Sequence, residues 1–195
     1  MNKLILIAGL LSFLNLTWYA IKVWTKKAGA NSIASWLMWV CLDSVILGCT
    51  LATGKPYALA LSYVAGASFV LIAQFKRGTW TWTGVETFSA IGATIATILW
   101  QTIDPAYGVG AGVIAMTLAG IPLMRFMWNN PDPTSFWMFA NTVIACILTL
   151  VALDTWSIGG ALLPAGGLLF NGYMAIIVLR KKKNVAAIPA GKQPA

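Results

Sequence analysis

Long apolar segments follow one another along the whole chain, and each is bounded by charged residues, glycine or proline. A helix needs about 20 apolar residues to cross the hydrocarbon core of a bilayer. Seven segments come close to that length, at 4–23, 33–53, 57–75, 83–103, 107–127, 134–153 and 157–179. Backbone groups inside a bilayer must be hydrogen-bonded within the chain, so each segment is expected to be a helix. We therefore predict an all-α integral membrane protein with seven transmembrane helices.

The composition narrows the classes of function. The chain is 59% hydrophobic and 9% charged, whereas soluble domains carry about 25% charged residues. It has no histidine and only five acidic residues, which leaves little for hydrolytic or metal-dependent chemistry. The cysteines at 41, 49 and 146 lie in apolar segments and are interpreted as packing residues. We expect no enzyme, no metal and no cofactor.

The basic residues mark one side of the predicted membrane. With seven spans, only Lys3 and Lys55 of the 13 basic residues fall on one side, and the others share the opposite side. Because cytoplasmic loops are enriched in lysine and arginine, the N-terminus is predicted outside and the C-terminus in the cytoplasm. The positive charge thus reflects topology, and no nucleic-acid partner is expected. We predict a multi-pass protein of a bacterial inner membrane, whose partners are the lipid bilayer and a small molecule, with homo-oligomerisation left open.

An internal repeat appears when the chain is shifted by 100 residues. The shift pairs Ser35 with Ser135, Met38 with Met138, Ala65 with Ala165, Gly66 with Gly166, Trp36 with Phe136 and Trp39 with Phe139. Spans one to three and spans five to seven also share an order of elements, and span four stands apart. This predicts two parallel three-helix bundles, 1–78 and 105–183, joined by a linker helix in 79–104, with a disordered tail over 184–195. Repeats of this kind place the substrate site between the halves, near the midplane.

The second segment carries the most unusual residue. Trp36, Trp39 and Asp43 share one face of a helix by their spacing. A charged aspartate at the bilayer centre costs about 2.5–3.5 kcal/mol or more, so such residues usually face a cavity or a partner. Asp43 is therefore a candidate substrate-binding residue and the only deep candidate for proton coupling. Its structural alternative is a neutral acid that is bonded to a neighbouring helix.

Short motifs resemble the SWEET and PQ-loop superfamily of small transporters. Ile121-Pro122-Leu123-Met124-Arg125 is similar to the PQ-loop motif, with Leu123 where glutamine would be, and Pro133-Thr134-Ser135-Phe136 is similar to the start of the following helix. Asn171 resembles the central asparagine of that family, and Trp39 and Phe139 resemble its aromatic positions. Lys22 and Leu71 depart from the pattern, since they replace the first-repeat proline and asparagine. The run from Trp36 to Asp43 also resembles the bacterial nicotinamide riboside transporters, which share this layout.

The candidate site combines residues of both halves. Its predicted substrate-binding residues are Trp39, Asp43, Trp137, Phe139, Asn141 and Asn171. Asparagine both donates and accepts hydrogen bonds and the aromatic rings can stack on a ligand, although asparagine also joins helices and tryptophan also lies at lipid interfaces. Pro122 and Pro164 are predicted hinges.

Two functions follow from these observations. The first is a facilitator or proton-coupled transporter for a small polar solute, such as a sugar or a vitamin- or nucleoside-like compound, which works by alternating access around a midplane pocket. The alternative is a non-transporting receptor or assembly subunit with the same fold. The repeat pairs Asp43 with Val143, so the pocket is expected to be asymmetric, which leaves room for an amine-bearing substrate or a proton.

Overall fold

A computed structural model of the protein describes residues 2–27, 32–129, 131 and 135–180. Helices carry most of these residues: α1 (Lys3–Trp24), α2 (Ile33–Ala52), α3 (Ala58–Arg77), α4 (Gly84–Thr102), α5 (Pro105–Ala119), α6 (Ile121–Asn129), α7 (Phe136–Val151) and α8 (Ile158–Val178). Every predicted segment coincides with a helix, and the fifth is divided into α5 and α6, which meet at Gly120. The tail that the sequence predicts to be disordered, 184–195, lies outside the described residues.

Local sequence signals fix where several helices begin. The Ser32 side chain accepts a hydrogen bond from the backbone of Ser35 at the start of α2. Thr83 and Glu86 form a capping box at the start of α4, in which each side chain satisfies a backbone N–H group. Asp104 caps α5, and Pro105 follows at its first helical position, where its missing N–H group is not needed.

Five helical stretches are long and apolar enough to cross a membrane: α1, α2, α3, the continuous stretch from α5 to α6, and α8. The other two predicted spans are not both long enough and apolar enough: α7 is short, and α4 is less apolar. The apolar α7 has 16 residues, which is about 24 Å against a hydrocarbon core of about 30 Å. The 19-residue α4 carries Glu86, Gln101 and several threonines. The fold is therefore all-helical, with the apolar helices of a multi-pass membrane protein.

The outer surface of the bundle is apolar. Large hydrophobic side chains are exposed on every helix, including Leu10 on α1, Ile72 on α3, Phe88 on α4, Ile114 on α5 and Ile176 on α8. Soluble monomers rarely expose contiguous apolar surface of this extent. Such a surface is suited to contact with lipid.

The helices before α4 and those after it make similar contacts. α3 packs against both α1 and α2, and α8 packs against both α5 and α7. Across the middle of the bundle, α1 packs on α7 and α2 packs on α5. α4 lies at the periphery against α5 and α2, and it buries only Glu86, Ser89 and Ala96.

Small residues allow the closest of these approaches. A side chain at Gly92 of α4 would lie 2.4 Å from the Cβ of Ala115 on α5. A side chain at Gly112 of α5 would lie 2.6 Å from the Cγ1 atom of Ile46 on α2. Close backbone approach at glycine is the usual way in which membrane helices gain packing contacts.

The described basic residues mostly gather at one end of the bundle, called here the basic end, where α1, α3, α6 and α8 end. The Lys76 Nζ atom lies 3.8 Å from the ring centroid of Trp24, and the Arg180 guanidinium lies 3.5 Å from that of Trp128. At the opposite end, the Lys55 Nζ atom donates to the Thr155 hydroxyl over 3.4 Å. Tryptophan beside lysine or arginine is typical of a membrane–water interface.

Candidate functional site

A cavity of about 80 Å³ lies in the middle of the bundle. Every helix except α4 contributes a described residue to its wall. About 10–15 Å³ on this measure holds one water molecule, so the cavity has room for several waters or a small solute. It lies between the helices of the first half and those of the second half.

Two hydrophobic clusters border the cavity. The cluster toward the basic end includes Tyr19, Trp36, Met127 and Phe139. The cluster toward the opposite end includes Tyr63, Ala145, Cys146 and Leu163, with Leu16 and Met116 packed against it. Cavity-lining residues come from both clusters, so the cavity lies where the two clusters meet.

Asp43 is the only acidic residue in the described wall of the cavity, and this wall contains no lysine or arginine. The residue is 4% exposed, and its Oδ1 atom is buried with no hydrogen-bond partner in the described part of the chain. Burying an ionised carboxylate costs several kcal/mol unless a positive charge or hydrogen-bond donors compensate it. The group is therefore placed to receive a proton or a ligand.

A row of aromatic rings borders the cavity on its basic side. The ring centroids of Tyr19 and Trp36 are 6.1 Å apart, and those of Trp36 and Trp39 are 5.5 Å apart. The row continues to Phe170 of α8, whose ring meets Trp39 edge to face at 6.0 Å. Aromatic pairs at these separations stabilise one another by about 0.5–1.5 kcal/mol beyond the area they bury. The row thus connects α1, α2 and α8 across the two halves.

Gly120 gives the last ring of this row its position. A side chain at Gly120 would lie 2.2 Å from the Cε2 atom of Phe170, so a larger residue and this ring position exclude each other. Gly120 is also the residue at which α5 ends and α6 begins. The junction between α5 and α6 therefore lies next to Phe170, the last ring of the aromatic row.

The opposite side of the cavity is formed around Gly167. The Asn171 Nδ2 group donates to the Gly167 carbonyl over 2.8 Å, and the Tyr63 hydroxyl pairs with the Cys146 Sγ atom over 3.4 Å. A side chain at Gly167 would lie 3.0 Å from the Tyr63 hydroxyl and 2.9 Å from the Cys146 Sγ atom. Glycine at this position leaves room beside α8 for the Tyr63 hydroxyl of α3 and the Cys146 thiol of α7.

The structure brings four of the six predicted binding residues together. Trp39, Asp43, Phe139 and Asn171 all line the cavity. Of the predicted hinges, Pro164 is buried inside α8, and Pro122 lies in the first turn of α6, directly after the break at Gly120.

Trp137 and Asn141 lie elsewhere, on the outer surface between α1 and α7. Trp137 is 61% exposed, and the Asn141 Nδ2 group reaches the Asn15 Oδ1 atom over 3.4 Å. Their neighbours Met138 and Phe139 are buried. The two residues do share a face of α7, as their spacing predicts, but that face is turned away from the cavity.

Tyr63 and Phe170 line the cavity and were not singled out by sequence reasoning. A tyrosine in the middle of an apolar segment is a usable signal, because its hydroxyl needs a partner when it is buried. Phe170 carries no such signal, and the internal repeat pairs it with Val70. Only the tertiary structure places Phe170 beside Trp39 in the cavity wall.

A metal site is not apparent in the part of the chain that the structure describes, where no three His, Cys, Asp or Glu residues lie close enough to hold an ion. The cysteines at 41, 49 and 146 are free thiols. The described wall of the cavity offers one carboxyl group, one asparagine amide, the hydroxyl groups of two tyrosines and two threonines, and several aromatic rings. Comparisons with protein-family models, with curated proteins and with solved structures return no match to this chain.

Proposed function

We propose that this chain is a membrane transporter for a small polar solute, which it carries by alternating access around the central cavity. The observation that carries the proposal is the unpartnered Asp43 carboxyl group in the wall of a cavity between the two halves. Intramembrane acids are rare, and those that face a cavity mark substrate or proton pathways. Asp43 is the residue through which transport would be coupled to a proton.

The helix contacts support a layout of three, one and three helices, with the stretch from α5 to α6 counted as one span. In each half the third helix packs against the other two, and the first helix of each half packs on the second helix of the other. This reciprocal arrangement is expected of parallel repeats related by an axis along the membrane normal. The peripheral α4, which lines no described part of the cavity, then serves as the linker helix.

The SWEET and PQ-loop superfamily remains the family that this layout favours. The proposal places Asn171 and Trp39 in the roles that the resemblance implies, and both line the cavity. The break at Gly120 beside Pro122 and the buried Pro164 within α8 support the two predicted hinges, because proline removes a backbone hydrogen bond and lets a helix bend.

The distribution of charge supports a cytoplasmic basic end and an outside N-terminus. Lys22, Lys76, Arg77 and Arg180 lie in or next to the last turns of helices at the basic end, and Lys3 and Lys55 lie at the other end. The positive-inside rule then assigns the basic end to the cytoplasm of a bacterium.

Solute uptake into liposomes that contain the purified protein tests the proposal. A panel of labelled sugars, nucleosides, vitamins and amines is offered, and at least one is expected to accumulate by counterflow. For that solute, Asp43→Asn and Asn171→Ala should each lower uptake by about tenfold or more, which corresponds to a lost interaction of about 1.4 kcal/mol.

Matched variants outside the cavity are the controls. Asn141→Ala makes the same change as Asn171→Ala but on the outer surface of α7, and Trp137→Phe alters an aromatic residue of that surface. Both should retain wild-type uptake. Unchanged uptake in both cavity variants would show that the path lies elsewhere. Binding of a solute without any uptake would favour the alternative, a receptor with the same fold.

A further inference from the structure

Several hydroxyl and amide groups of the cavity wall already donate hydrogen bonds within the protein. The Thr117 hydroxyl donates to the Val113 carbonyl over 2.8 Å, and the Thr142 hydroxyl donates to the Met138 carbonyl over 2.9 Å. The Asn171 amide donates within its own helix, and the Tyr63 hydroxyl pairs with a thiol. The Asp43 Oδ1 atom is buried and unpaired.

A neutral solute would leave the Asp43 carboxyl group without a charged partner. A sugar needs several donors and acceptors around it, because each polar group that is buried unpaired costs about 1–3 kcal/mol. In its ionised form, the Asp43 carboxyl group would be the acceptor in this wall that bears a formal negative charge. The ligand chemistry that complements such a site is a positively charged donor.

Aromatic surface lies beside the carboxyl group. Trp39 precedes Asp43 by four residues on α2, so the two side chains are neighbours on one helix face. Trp36 and Phe170 extend this surface through ring contacts at 5.5 and 6.0 Å from Trp39. A cation within about 6 Å of a ring centroid is attracted by about 0.5–2 kcal/mol, and tryptophan is the strongest partner.

We infer that the cavity selects a small organic cation, with its ammonium group against the Asp43 carboxylate and its apolar groups against the rings of Trp36, Trp39 and Phe170. The inference deepens the proposed function and rests on it, since it names the class of solute that the transporter carries. The carboxylate supplies the negative charge, and the aromatic row excludes water around the ammonium carbon atoms.

Binding of matched charged and neutral probes tests this inference in purified, detergent-solubilised protein. One pair is choline and its carbon analogue, in which a tert-butyl group replaces the trimethylammonium group. The other pair is butylammonium and butanol. Intrinsic tryptophan fluorescence reports binding, since two tryptophans line the cavity. Each cation should bind at least about tenfold more tightly than its neutral partner, the smallest effect expected of one charge-assisted contact.

The variant Asp43→Asn keeps the shape of the side chain and should remove this preference. Asp154→Asn, which removes an exposed acid at the opposite end of the bundle, should retain it. If Asp43→Asn does not fold, the comparison of charged with neutral probes in the wild-type protein still tests the inference. Equal binding of both members of each pair, or binding of neither cation, would overturn the inference.

Uptake separates this inference from the proposed function. If a neutral solute enters liposomes in an Asn171-dependent manner and the cations do not bind, the transporter stands and the cation specificity is wrong. If the cations bind in an Asp43-dependent manner and nothing is transported, the cation site stands and the transporter proposal is wrong.

Discussion

At the scale of single residues, polar side chains of similar type have different roles in this bundle. Asn171 faces the cavity and bonds within its own helix, whereas Asn15 joins two helices. The Asn15 Nδ2 group donates to the Met138 carbonyl over 2.7 Å and lies 3.2 Å from the Thr142 hydroxyl. Asn15 therefore links α1 to α7, whereas the hydrogen bond that the Asn171 side chain donates stays within α8.

This difference predicts opposite effects of alanine substitution. Asn15→Ala should destabilise the protein by about 1–2 kcal/mol, because interhelical hydrogen bonds in membrane proteins average about 0.6 kcal/mol and three contacts are lost, those with Met138, Thr142 and Asn141. Asn171→Ala should leave the unfolding free energy near wild type while lowering uptake. Unfolding in mixed micelles measures both. Equal destabilisation by the two variants would contradict the assignment.

At the scale of helices, the break between α5 and α6 sets the shape of the cavity. Gly120 ends α5 and leaves room for Phe170, and Phe170 in turn contacts Trp39 on α2. Contacts thus run from Gly120 through Phe170 of α8 to Trp39 of α2.

Gly120→Ala should displace Phe170 and destabilise the protein by about 1–3 kcal/mol, the usual cost of overpacking. Binding of the cationic probes should weaken in parallel. Gly172→Ala is the matched control, because a side chain there meets no atom within 4 Å. That control should be neutral or should stabilise α8 by up to about 1 kcal/mol, since alanine favours helix over glycine. Thermal unfolding measures the change in stability, and fluorescence titration measures the change in binding. Wild-type stability and binding in the Gly120→Ala protein would contradict the role given to Gly120 in the aromatic wall.

At the scale of the whole molecule, the two halves pack alike but line the cavity differently. The helix contacts are reciprocal between the halves, whereas the acid comes from α2 and the asparagine from α8. The site is therefore asymmetric, although the helices around it make similar contacts. Such a site can hold a ligand with one charged and one apolar end in a single orientation.

The proposed topology predicts which ends can be labelled from outside the cell. In a cysteine-free background, Thr155→Cys should react with a membrane-impermeant maleimide in intact cells, because Thr155 is exposed at the end opposite the basic residues. Lys27→Cys, exposed at the basic end, should react only after permeabilisation. Labelling of both cysteines from the same side of the membrane would contradict an odd number of membrane spans between positions 27 and 155.

The number and limits of the helices could be predicted from sequence because each apolar segment is long, continuous and bounded by residues that end helices. The face of each helix that points toward the interior of the bundle could not be predicted from the sequence. In a soluble helix the polar face marks the outside, but α7 is apolar on nearly all sides, so its pattern left Trp137 and Phe139 equivalent.

The sequence by itself determined that the chain is helical, that its helices suit a bilayer, and that its basic residues collect at one end. Those properties depend on segment length and composition, which are local. Only the tertiary structure decided that Asp43, Trp39 and Asn171 share a cavity, that Asn141 does not, and that Phe170 belongs to the wall. These positions depend on contacts between residues far apart in the chain, such as Gly120 with Phe170, which helical periodicity does not encode.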